Sequence, residues 1–249
     1  MKTPKQFLLS AQLLRDKVPS FDGYPFSLPA VQRLEKIEFH PKVTFFIGEN
    51  GSGKSTLLEA IAVAWGFNPE GGSKNFRFSN RASHSRLSDY LRLAKSIRRP
   101  RDGFFLRAES FFNVATEIER MDAEPAPAPP IINSFGGRSL HEQSHGESFF
   151  ALIMERFGGD GLYILDEPEA ALSPMRQLAM LRRIHDLIQD ESQFIIATHS
   201  PILMAYPNAQ ILSVENALQP VSYTETEHFV VARSFLNNHE KMIREILED

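Results

Sequence analysis

The chain is punctuated by short, apolar-rich, strand-like runs at residues 43–47, 104–108, 162–165, 193–197 and 211–214. Runs of four or five residues without polar alternation are how strands buried on both faces of a parallel sheet read. Between them lie segments with helical spacing: residues 54–66, closed by a glycine stop, then 109–121, 147–157, 179–190 and 228–247. Strands alternating with helices predict an α/β fold with a mainly parallel central sheet flanked by helices. Three weaker patterns lie outside this scheme. Residues 5–18 and 87–97 predict helices, and 31–39 alternate as a strand.

The ends of the apolar runs carry the candidate chemistry. After residues 43–47 comes Gly48-Glu49-Asn50-Gly51-Ser52-Gly53-Lys54-Ser55-Thr56. Glycines let backbone N–H groups close around phosphate oxygens, and the helix starting near Lys54 turns its positive end toward the same anion. In this strand–loop–helix context Lys54 would reach the β- and γ-phosphates of a nucleotide, and the Ser55 hydroxyl would ligate Mg²⁺.

A second run ends in Asp166-Glu167-Pro168-Glu169. A carboxylate at the C-terminal edge of a buried strand sits where ligands bind in open α/β sheets. Asp166 suits the Mg²⁺ shell, and Glu167, one residue on, suits polarising an attacking water. A third run ends in Thr198-His199-Ser200, placing His199 where it would contact a γ-phosphate. Ser144-His145-Gly146-Glu147 precedes an apolar helix; Ser144 and Gly146 would form an anion site there, or Ser144 and Glu147 a plain capping box.

Composition narrows the picture. The chain has 249 residues, 42% hydrophobic, with no cysteine and a net charge of −4. The length suits a single domain over 1–249, and disulfides and zinc–thiolate sites are excluded. No stretch approaches the roughly 18 apolar residues of a membrane span, so a cytoplasmic protein without membrane insertion is expected. Net charge argues against blanket binding to nucleic acid. Residues 68–103, however, hold nine basic residues against three acidic ones, a basic insertion that would offer phosphates of DNA or RNA a local patch. Residues 122–134 contain a Pro-Ala run and predict a flexible loop.

In this order the motifs resemble the ATP-binding cassette (ABC) ATPases, a P-loop NTPase fold with a small antiparallel part and a short helical lobe. The resemblance spans about residues 30–215. It implies ATP and Mg²⁺ as ligands, and a homodimer with ATP sandwiched head to tail. Ser144 and Gly146 would then act on the nucleotide held by the other subunit, with Ser173 at the seam. The family's metal-facing glutamine has no obvious counterpart, and Glu109 is the best candidate. Pro174 replaces an aspartate, and Tyr24 or Phe26 is a candidate for stacking on adenine. The compact chain is similar to the soluble branch of chromosome-maintenance, recombination-repair and phage-defence ATPases. It implies ATP hydrolysis gating dimerisation, with action on nucleic acid, in repair or in defence. A transporter energy subunit and a slow nucleotide-dependent switch that recruits an effector are the alternatives.

Overall fold

The structure is a computed structural model and describes residues 6–73, 85–108, 111–123, 129–135, 137 and 145–248. In chain order the elements are β1 (Leu8–Leu13), α1 (Pro29–Gln32), β2 (Lys36–Glu38), β3 (Val43–Ile47), α2 (Lys54–Trp65), β4 (Leu91–Lys95), β5 (Asp102–Arg107) and α3 (Phe111–Ala123). There follow α4 (His145–Ala151), which runs into a π-turn, β6 (Gly161–Asp166), α5 (Pro174–Gln189), β7 (Gln193–Ala197), α6 (Pro201–Met204), β8 (Gln210–Ser213), β9 (Gln219–Pro220) and α7 (Glu227–Leu247).

Six strands form one sheet in the order β5-β6-β7-β3-β8-β9, with every pairing parallel except β8–β9. The apolar-rich runs form its strands, because both faces are covered. Ile164 and Ile195 point into a core shared with Leu57, Leu58 and Ile61 of α2. Their neighbours Tyr163, Leu165, Phe194 and Ile196 point into a second core with Val114, Ile118, Phe149 and Ile184. Alternate residues therefore serve opposite faces, both of them largely apolar.

A second, three-stranded antiparallel sheet, β2-β1-β4, covers the α2 side. Here the structure corrects the sequence expectations. Residues 5–18 are not a helix. Leu8–Leu13 is a strand, and Leu8, Ala11 and Leu13 enter the core. Residues 87–97 end in β4, which pairs with β1 in the register Ala11↔Leu93 and Gln12↔Arg92. Both segments have mixed periodicity, and strand pairing between distant segments overrides local helix preference. Residues 31–39 begin instead in a helical turn, because Pro29 at its first position presets the backbone; only Lys36–Glu38 is strand.

Gln193 joins the two sheets. Its Oε1 accepts from the N–H groups of Phe7 and Leu8, both at 2.9 Å, and its Nε2 donates to the carbonyls of Leu8 at 2.9 Å and His40 at 3.1 Å. Among the described residues no helix is long and apolar enough to cross a membrane. The Pro-Ala run at 124–128, and Lys74, Arg77 and Arg81 of the basic segment, lie outside the described residues.

Candidate functional site

Register brings the motifs to one edge. Ile47 is opposite Ser213, Phe46 opposite Ala197, Ala197 opposite Asp166, and Asp166 opposite Arg107. The residues that follow these strands therefore gather at the sheet's C-terminal edge, where parallel sheets receive ligands.

The loop from Gly48 to Gly53 leads directly into α2. Gly53 is the N-cap with φ +96°, a left-handed conformation, and a Cβ there would lie 2.9 Å from Leu28 Cβ. Glycine thus sets both the turn and its approach to α1. Glu49, Asn50 and Gly51 are exposed, Ser55 and Thr56 half-buried. Ser52 Oγ is buried without a hydrogen-bond partner among the described residues, as suits a donor awaiting an anion. Lys54 is 4% exposed and its Nζ donates to the carbonyls of Gly48 at 2.7 Å and Glu49 at 2.8 Å. Burial pulls its pKa below the usual lysine range, opposed by the carboxylates of Glu167, Glu215, Asp166 and Glu169. One ammonium amid four carboxylates makes the site's charge balance depend on what else binds there.

Asp166 closes β6 and is 5% exposed, with Oδ2 at 3.7 Å from Arg107 Nε. Arg107 also pairs with Glu59 of α2. Glu167 follows in a left-handed conformation, φ 49°, and its N–H donates to the Ala197 carbonyl at 2.9 Å. That turn aims its side chain toward β7, where Oε1 lies 3.6 Å from His199 Nε2. The next loop is tied to the same histidine: Glu169 Oε1 accepts the His199 N–H at 2.6 Å. Burial pushes the Glu169 carboxyl up, against the lowering effect of that N–H. Burial, with Lys54 nearby, lowers the His199 pKa and favours the neutral ring.

Gly146 opens α4 at the edge of this loop. A Cβ on it would meet the Ala171 carbonyl oxygen at 2.5 Å, so its absence of a side chain lets α4 abut the segment after Glu167. Glu147 lies 3.9 Å from Arg176. Ser173 N-caps α5, accepting from the Arg176 N–H, and Pro174 takes the first helical position. Ser144 and Glu109 lie outside the described residues. Phe26 is in the core, edge-on to Phe21 and Tyr90, whereas Tyr24 is exposed.

Sequence reasoning missed three participants. Glu215, just after β8, accepts the Glu49 N–H at 2.6 Å and the Ser213 hydroxyl at 2.9 Å. Burial pushes its carboxyl up, but those donors and Lys54 hold it below the ordinary range. Arg107 faces Asp166, and His228 of α7 meets His199, with Nε2 3.0 Å from His199 Nδ1. Nothing local marks these side chains; only β-register and chain return bring them in. A cavity of about 830 Å³ lies between Gly48–Asn50, His199, Glu215 and His228 of α7.

A family model described as "AAA domain" matches residues 25–115, and one described as "AAA domain, putative AbiEii toxin, Type IV TA system" matches residues 132–205. Between them they take in the phosphate loop, Asp166–Glu167 and His199. The chain is 26% identical over 172 residues to ABC transporter G family member STR2 of Medicago truncatula, covering 64% of this chain and 24% of that protein. It is 54% identical over 43 residues to the DNA replication and repair protein RecF of Colwellia psychrerythraea, covering 17% and 10%. The chain spans well under half the length of such curated relatives. Among solved structures, cbiO1 of Clostridium perfringens, part of the ABC transporter complex cbiONQ, superposes with a TM-score of 0.51 at 18% identity. That match covers 98% of this chain and 100% of cbiO1. The fold is that of the P-loop NTPases. More narrowly, the chain is similar to the AAA/ABC-type ATPases, whose domain models match two separate stretches of it.

Proposed function

We propose that the chain is an Mg²⁺-dependent ATPase whose hydrolysis gates head-to-tail dimerisation, and that the dimer acts on nucleic acid in repair or defence. The observation that carries the catalytic part is the convergence of Glu167 and His199, 3.6 Å apart, on the edge occupied by Lys54 and Asp166. Lys54 and the backbone of residues 49–56 would hold the phosphates. Ser55 and Asp166, a hydroxyl and a buried carboxylate, are hard oxygen donors of the kind Mg²⁺ takes alongside phosphate and water. When bound, Mg²⁺ supplies positive charge to the phosphate oxygens. Glu167 would orient the water and accept its proton, and His199 would donate toward the γ-phosphate.

Substituting Glu167→Gln tests this directly. Turnover should fall by at least about 10² while ATP still binds, and size exclusion at saturating ATP should show a dimer. Unchanged turnover removes Glu167 from its role; a monomer at saturating ATP removes the sandwich.

The RecF likeness and the exposed arginines on and just after β4 support the nucleic-acid part. Arg92, Arg99 and Arg101 are exposed. Arg98 is engaged by Asp160 and Glu191, and Lys95 lies 4.6 Å over the Trp65 ring, so these two serve packing first. Reversing Arg92, Arg99 and Arg101 to Glu should abolish a salt-sensitive DNA shift. No shift for the unaltered protein at low salt removes this reading. The transporter relatives favour a second reading, an energy-coupling subunit, which co-purification with a membrane protein would support.

A further inference from the structure

His228 touches the candidate site from α7, an element the motifs do not include. The imidazoles of His199 and His228 lie with centroids 5.3 Å apart and planes at 50°, and His199 Nδ1 meets His228 Nε2 at 3.0 Å. Two neutral imidazoles in nitrogen-to-nitrogen contact share one proton, so one ring donates and the other accepts. Burial lowers both pKa values, which keeps both rings neutral. The direction of the bond follows from the far side of His199. Its Nε2 is a buried atom with no hydrogen-bond partner among the described residues, and the Glu167 carboxylate lies 3.6 Å from it. A lone pair on Nε2 would face that anion and, with nucleotide bound, phosphate oxygens as well. A proton on Nε2 faces them favourably. Nδ1 of His199 is then the acceptor, and His228 Nε2–H is the donor.

We propose that His228 is a positioning residue for ATP hydrolysis, which donates from Nε2 to His199 Nδ1 and so fixes the tautomer that presents N–H toward Glu167 and the γ-phosphate. The inference rests on the reading of Glu167 and His199 given above. It adds that α7 takes part in setting the site. Thr226, the N-cap of α7, accepts the Phe229 N–H, and Tyr223 of the preceding turn donates to the Pro201 carbonyl, so the start of α7 is anchored two residues from His199. The geometry at His228 is thereby coupled to the loop after β7.

The test compares steady-state hydrolysis, thermal melting and imidazole nitrogen NMR in four variants. His228→Phe keeps a ring and removes the donor, and His228→Gln keeps an N–H donor. His199→Ala and the double variant His199→Ala/His228→Phe complete the cycle. The proposal expects kcat of His228→Phe to fall about tenfold with KM for ATP within about threefold, the pattern of an interaction expressed in the transition state. His228→Gln should recover most of that loss, and the double variant should match His199→Ala alone. In the unaltered protein the His199 nitrogens should show the Nε2–H tautomer, which His228→Phe should mix. Unchanged kcat in His228→Phe, equal losses in the Phe and Gln variants, an additive double variant or an Nδ1–H tautomer at His199 each overturn it. Full turnover in His199→Ala would instead overturn the reading of the site itself. Loss in His199→Ala with an active His228→Phe overturns only the role of His228.

Discussion

The backbone N–H of His199 donates to Glu169 Oε1 at 2.6 Å, joining the loop after β7 to the loop after β6. Glu167 lies between Asp166 and this clamp, so its 3.6 Å approach to His199 Nε2 depends on both loops keeping their spacing. Replacing Glu169 with Ala should lower kcat about tenfold, equivalent to about 1.4 kcal/mol of transition-state stabilisation. Glu169→Gln should cost less, because its amide oxygen still accepts the N–H. Steady-state kinetics of the two variants measure the difference, and equal values for both would separate the clamp from turnover.

Lys54 is the cation around which the carboxylates of Glu167, Glu215, Asp166 and Glu169 act. Its Nζ also holds the loop carbonyls of Gly48 and Glu49. Lys54→Ala removes the loop tie and the ammonium proposed to meet the phosphates. ATP at about 100 times its Kd should stabilise the unaltered protein by about 2.7 kcal/mol. The variant should show no such gain in a thermal melt. A normal ATP-dependent shift would place the phosphates elsewhere.

Gly146 faces the Ala171 carbonyl so closely that a Cβ would lie 2.5 Å from it. Gly146→Ala forces α4 away from the segment that follows Glu167. Overpacking of this kind costs about 1–3 kcal/mol. The melting temperature should fall accordingly, and turnover should fall with it because the displaced segment carries Glu169. Unchanged melting with lost turnover would point to a role in nucleotide contact alone.

Much of this arrangement was legible in the sequence, and the rest was hidden for a physical reason. Residues 43–47, 162–165 and 193–197 read as buried strands because covering both faces of a parallel sheet leaves little room for polar alternation. The chemistry at their ends was legible for the same reason: a polar residue directly after such a run must sit at the sheet edge. β1 and β4 were not legible, since each takes its strand form from pairing with a distant segment. Glu215, Arg107 and His228 belong to no motif. Glu215 reaches Glu49 because β8 returns beside β3, and Arg107 reaches Asp166 because β5 is in register with β6. Those are properties of topology, which a local pattern does not encode.

The junction of the two sheets offers a stability test away from the site. Gln193 is fully buried and its amide makes four hydrogen bonds, to Phe7, Leu8 twice and His40. Gln193→Ala leaves buried backbone groups without partners. A loss of about 3 kcal/mol is expected, which for a chain of this size lowers Tm by roughly 6–12 °C. A denaturant melt checks the value, and a shift under about 0.5 kcal/mol would mean that β1 is held by its strand partners alone.

Acid sensitivity follows from Asp102, at the start of β5. Burial pushes its carboxyl up, but the Gly158 N–H, the Tyr163 hydroxyl and the Arg156 guanidinium outweigh it and hold the pKa below the ordinary aspartate range. The distances are 2.9 Å from Gly158 N, 2.7 Å from Tyr163 Oη and 2.9 Å from Arg156 Nη1. A carboxyl whose folded pKa lies below its unfolded value releases its proton more readily in the native state. Its stabilisation is complete above the unfolded value of about 3.9 and is lost as pH falls through the folded value. Asp102→Asn should therefore lower stability at pH 7, by about 2–3 kcal/mol for a charge-assisted network of this kind. The gap between the variant and the unaltered protein should close as pH drops below about 4. Chemical denaturation at several pH values reads that gap directly, and a gap that stays constant down to pH 3 would assign the loss to packing around Tyr163 instead of to the charge on Asp102.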